Sequence, residues 1–116
     1  MSTITADELE LLTFFECEPK KLDADVPWVY NDLLYEFKQD GLALTFSVAP
    51  SYKDVRLILK NGDVVLYELN AVGVVDVKYH NDSSVETVEI LINSQDRLWV
   101  RLKPILSINH ETTERT

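Results

Sequence analysis

The chain has one cysteine, two histidines, three glycines and four prolines in 116 residues. With Cys17 alone no intramolecular disulfide can form, which points to a reducing cytosol as the working compartment. So few glycines and prolines, beside 46% hydrophobic residues, exclude a collagen-like, low-complexity or disordered chain. No apolar run approaches the roughly 20 residues needed to cross a bilayer. The opening MSTITADELELL lacks both a basic region and an unbroken apolar segment, so no signal peptide is expected. Without a secretory route, the sequon Asn81-Asp82-Ser83 is expected to carry no glycan. Catalytic signatures are also missing: there is no G-x-S-x-G, P-loop, G-x-G-x-x-G, H-E-x-x-H or C-x-x-C.

Bases are scarce too. Eleven Lys and Arg face 20 Asp and Glu, for a net charge of −9. Residues 1–40 hold ten acids against Lys20, Lys21 and Lys38, while residues 41–116 hold ten acids against eight bases. Such a balance repels phosphate backbones and anionic lipid, so neither nucleic acid nor membrane is an expected partner. A basic protein is.

What is present is pattern. At this length one domain, residues 1–116, can bury a core without staples. Thr5-Ala6-Asp7-Glu8 has capping-box spacing, Ile4 and Leu9 can form a hydrophobic staple, and Leu9, Leu11, Leu12 and Phe15 follow at helical spacing. The reading is an amphipathic helix over 6–17, ended by Pro19. Residues 18–26 form a polar connector. Residues 27–39 fit either a helix, with Tyr30, Leu33, Leu34 and Phe37 on one side, or a strand. As a strand turning at Asp40-Gly41, they pair Phe37 with Leu44, Tyr35 with Phe46 and Leu33 with Val48, against a polar reverse face. We choose the strand.

Asn61-Gly62 then suits a type I′ hairpin. It sets Lys60 against Asp63, Leu59 against Val64, Leu57 against Leu66 and Arg56 against Tyr67, with Leu57, Leu59, Val64 and Leu66 on the core face. Further strands are expected at 74–79, 85–92 and 97–103, with Ile90 facing Trp99. Residues 80–84 read as a loop by composition. Pro104 opens a last edge strand ending at 109, and 110–116 reads as a flexible tail. The class is α+β: an antiparallel β-meander of about seven strands over 33–109, covered on one face by the N-terminal helix.

Chemistry is thinly signposted. Cys17 lies between Glu16 and Glu18, far from the electropositive setting a reactive thiol needs, and nothing in the spacing joins it to His80 or His110. His80 and Asp82, with Asp76 or Glu86 nearby, have metal-ligand residue types, but without Cys or a second His no metal is assigned. No cofactor is expected. Clustered carboxylates could serve hydrolysis or small-ligand binding, yet no spacing narrows them to a reaction.

The constellation that stands out mixes acids with aromatics: Glu16, Glu18, Asp23, Asp25, Trp28, Tyr30 and Asp32. Trp and Tyr favour interface hot spots, and carboxylates around them steer a cationic partner. Tyr52 and Arg56 join if that face of the sheet is open. A short, acidic, sheet-rich chain without catalytic motifs is similar in type to bacterial immunity proteins, which mask a toxin. That resemblance implies a cytoplasmic protein-binding module. The alternatives are a self-associating domain, with an uncovered sheet face making a homodimer, and a small-ligand or hydrolytic protein.

Overall fold

The computed structural model of the chain describes residues 3–113. Helix α1 (Glu8–Phe15) starts from Asp7, whose carboxylate accepts the Glu10 amide at 2.8 Å while the Glu10 carboxylate accepts the Asp7 amide at 3.1 Å. The capping box therefore sits two residues beyond the expected Thr5. Thr5 is drawn away: its amide (2.7 Å) and its hydroxyl both donate to the Asp76 carboxylate. The shift moves the staple positions to Ala6 and Leu11, both fully buried, and leaves Leu9 exposed. Glu16 ends the helix in the left-handed region (φ +56°), its amide donating to the Leu12 carbonyl, so the helix is shorter than 6–17.

Nine strands follow among the described residues. In the first sheet β1 (Lys20–Lys21), β2 (Leu33–Gln39), β3 (Leu42–Ala49), β4 (Asp54–Asn61) and β5 (Val64–Ala71) lie side by side in chain order, all antiparallel. The second sheet holds β6 (Asp76–Asp82), β7 (Val85–Leu91), β8 (Asp96–Arg101) and β9 (Ser107–Thr112), again antiparallel in chain order. The expected single meander of about seven strands is thus two separate sheets. The break comes at Gly73, whose φ of +63° turns the chain. Val74 then donates to the Lys53 carbonyl in the turn before β4 and Val75 to the Leu91 carbonyl of β7, so consecutive residues are tied to different parts of the chain.

The β2–β3 hairpin has the expected register throughout, with Tyr35 opposite Phe46 and Leu33 opposite Val48. Asp40 (φ +49°) and Gly41 (φ +83°) supply the two positive φ angles a type I′ turn needs. The β4–β5 hairpin differs. Asn61 pairs with Val64, so the turn is Gly62-Asp63, and a bulge shifts the register between Leu59, opposite Tyr67, and Lys60, opposite Val65. Arg56 faces Asn70 rather than Tyr67. Val64 and Leu66, expected inside, are 62% and 53% exposed, while Tyr67, Leu69 and Ala71 reach the core. A glycine at the first turn position suits type II′, and the extra residue absorbed by the bulge restores the inward parity of Tyr67.

In the second sheet His80–Asp82 belongs to β6 and not to a loop, because Ser83 (φ +50°) and Ser84 (φ +73°) make the turn alone. Ile90 faces Leu98, and Trp99 faces Glu89. Asp96, expected in the turn, starts β8, its amide and that of Gln95 tied to the Asn93 side chain at 2.8 Å. His110–Thr112 is strand, not tail; residues 114–116 of that expected tail lie outside the described residues.

One core joins the elements. Helix α1 packs on β2, β6 and β7, sending Leu11, Phe14 and Phe15 into a cluster with Tyr35, Phe46 and Leu57 of the first sheet and Val77, Ile90 and Leu98 of the second. Phe15 stacks on Tyr35 (centroids 4.7 Å apart) and on Phe46 (5.4 Å). No helix among the described residues is long and apolar enough to cross a membrane.

Candidate functional site

The acid-and-aromatic stretch becomes a loop between β1 and β2, shaped by one buried amide. Asn31, only 5% exposed, donates through Nδ2 to the carbonyls of Asp23 (2.7 Å) and Val26 (2.9 Å). Its Oδ1 accepts the amides of Asp23 (3.3 Å) and Asp32 (2.8 Å). Asp25 donates its amide to the Asp23 carboxylate at 3.1 Å, and Leu22 its amide to the Asp32 carbonyl at 3.0 Å. A single turn of 3-10 helix, Trp28–Tyr30, then sends Trp28 inward. Its indole donates to the Tyr35 hydroxyl at 3.1 Å. Burial raises the Tyr35 phenol to about 12, although the Trp28 hydrogen bond pulls the other way.

The seven residues singled out above therefore divide. Asp23, Asp25, Tyr30 and Asp32 share the loop and are exposed. Trp28 is interior. Glu16, at the end of α1, is ion-paired with Lys103 of the β8–β9 connection. Glu18 borders a depression with Asp7 and Leu12 on the helix.

Two more connections meet the loop. Ser51 donates its amide to the Val29 carbonyl at 3.1 Å, which ties the β3–β4 turn carrying Tyr52 to the turn carrying Tyr30. Gly73 donates to the Asp54 carboxylate at 3.0 Å, bringing in the β5–β6 connection and Val72. Tyr52 and Val72 are 74% and 86% exposed, and Leu22 and Tyr30 are exposed as well. Leu22 and Val72 were not legible as site residues, since each sits alone in a polar or glycine-marked stretch. Only the meeting of three loops makes them neighbours of the same groove.

That groove crosses the open outer face of the first sheet. One depression of about 360 Å³ is lined by Lys20, Leu22, Asp32, Leu34 and Ser47; a second, of about 290 Å³, is lined by Asp32, Ser47, Asp54, Arg56 and Val72. They share Asp32 and Ser47. Arg56 is on the open face, 3.4 Å from Glu68. Asp32 and Asp54 line the groove among the cations Lys20 and Arg56, and Asp23 and Asp25 lie in the loop that carries Asp32. Such a surface can hold a protein.

His80, Asp76 and Cys17 are engaged elsewhere. On the outer face of the second sheet Glu89, only 5% exposed, lies 2.9 Å from His80 Nε2 and accepts from Arg97 at 2.9 Å, with Trp99 packed near His80. Burial opposes ionisation of Asp76, but hydrogen bonds from Thr5 and Val77 and the charge of Lys53 outweigh it, holding the carboxyl below its usual range. His80 and Asp76 are thus committed to different partners, and no group of three or more ligand side chains gathers among the described residues. Cys17 donates its thiol to the Glu36 carbonyl at 3.5 Å.

Neither a protein-family model nor a curated protein matches the sequence. The fold is similar to that of a chain in the contact-dependent growth inhibition toxin–immunity protein complex from Klebsiella pneumoniae 342, with a TM-score of 0.77. The superposition covers 92% of this chain and 94% of that one at 22% identity, a likeness of fold.

Proposed function

We propose that this chain is an immunity-type protein: a single-domain cytoplasmic module that binds a basic toxin domain and masks it. The observation that carries the reading is the fold shared, over nearly the full length of both chains, with a member of a toxin–immunity protein complex. The net charge of −9 supports the masking side of such a pair, because an acidic body attracts a basic partner and speeds its docking. The surface at the meeting of the three loops supports it further, with exposed Tyr30 and Tyr52 as anchors and Asp23, Asp25 and Asp32 as the exposed acids of one loop.

The test is co-purification with the product of the neighbouring gene, followed by a toxicity assay of that product with and without this chain. A stable complex that abolishes toxicity is expected. Replacing Asp23, Asp25 and Asp32 together by Asn slows association about tenfold, read by stopped-flow, and raising the salt does the same to the parent protein. Failure of the parent pair to associate sinks the reading. Unchanged association of the triple variant moves the contact away from this loop.

A further inference from the structure

We propose that the partner docks by laying an extended strand along the open edge of β5, an inference that rests on the immunity-type reading above. Strand β5 ends the first sheet, so its outward row of N–H and C=O groups has no strand beside it among the described residues. The other edges are shielded. Strand β1 is two residues long, β6 has its Val77 carbonyl taken by the Ala6 amide at 2.8 Å, and β9 carries His110 and Glu111. Natural sheets guard their edges with such devices, or with Lys and Pro. Strand β5 has no Lys or Pro, Glu68 is its one charge, and its bulge lies at the hairpin end, clear of Tyr67–Ala71.

Instead it is apolar. Val64, Val65 and Leu66 are exposed, and Tyr67, Leu69 and Ala71 reach the core from the edge yet stay half-buried. The bulge near Leu66 leaves Tyr67–Ala71 as an unbroken ladder on β4, long enough to template an ordinary strand. An added strand would take up the free backbone groups and finish covering those side chains.

Charge selects the occupant. A second copy would bring together two bodies of net charge −9, which repel. A cationic strand places a base beside Glu68. The edge is also continuous with the loop surface: Asn70, Ala71 and Val72 line the same depression as Asp32 and Arg56. One basic partner can therefore span the acidic loop and β5 together.

The probe is the purified product of the neighbouring gene, mixed with the full-length protein. V65K/L66K adds the missing guard at two exposed positions. It should weaken binding about 100-fold, since like charge across an interface costs several kcal/mol. V65T/L66T keeps strand propensity and the backbone row and should lose far less. Hydrogen exchange should slow at Tyr67–Ala71 in the complex. If V65K/L66K binds like the parent while the Asp23/Asp25/Asp32 variant is weakened, the edge proposal falls and the immunity-type reading stands. No complex with the parent protein removes both. A free-protein dimer by light scattering, dissolved by V65K/L66K, assigns the edge to a second copy and overturns the proposal.

Discussion

Asn31 does more to shape the candidate site than any of the acids around it. Its amide group makes four hydrogen bonds to loop backbone, so Asn31→Ala leaves several carbonyl and amide groups unpaired at once. We expect a loss of about 2–3 kcal/mol in urea unfolding, with binding lost faster than stability because Asp23 and Asp32 lose their places. Nothing in the sequence singled Asn31 out, since its partners are main-chain groups whose positions exist only once Trp28 is anchored. Tyr35 was legible as a core residue from its pairing with Phe46. Its phenol titrates at about 12 in the folded protein against 10.0 for the free group, so the unfolded chain releases that proton first as the pH rises. The buried ring contributes fully below about pH 10, and that contribution fades between about 10 and 12. Tyr67 and Tyr79, both raised by burial, act with the same sign. Unfolding midpoints at pH 8 and 11.5 should fall by the equivalent of roughly 2 kcal/mol, and less in Tyr35→Phe.

At the scale of elements, the turns separate what could be read from what could not. Asp40-Gly41 admits one tight turn, and every β2–β3 pair follows from it. Asn61-Gly62-Asp63 admits two of equal length, Asn-Gly as type I′ or Gly-Asp as type II′. Either turn alone sends Val64 and Leu66 toward the face of Leu57 and Leu59; the bulge between Leu59 and Lys60 reverses the parity, and the other parity, Val65 and Tyr67, is apolar near the turn too. The core resolved the choice by taking Tyr67 and Leu69. The β6–β7 turn is a different case, because Ser83 and Ser84 both hold positive φ without being Gly or Asn. Replacing them by Asn-Gly removes that strain and should stabilise the protein by about 1 kcal/mol, seen as a higher melting temperature. The helix shows the same competition. Thr5 and Asp7 are both good caps, and the Asp76 carboxylate claimed Thr5.

Across the whole molecule, charge and pairing behave differently. The acidic excess of the first forty residues is a property of composition, so its steering effect survives any rearrangement of strands. Its distribution is not. Folding draws Glu16 to Lys103 and sets Lys20 beside Asp32 in the groove, leaving Asp23, Asp25 and Asp32 as the exposed acids of one loop. What the sequence determined by itself was an antiparallel, sheet-dominated chain with a leading amphipathic helix, because turn chemistry and alternation act between residues a dozen apart or fewer. The division into two sheets, the open edge of β5 and the meeting of three loops were left to tertiary structure. Each rests on bonds between distant segments, Ala6 to Val77, Lys53 to Val74 and Gln39 to Leu106, and no local pattern encodes which of many equally polar partners a backbone group will find.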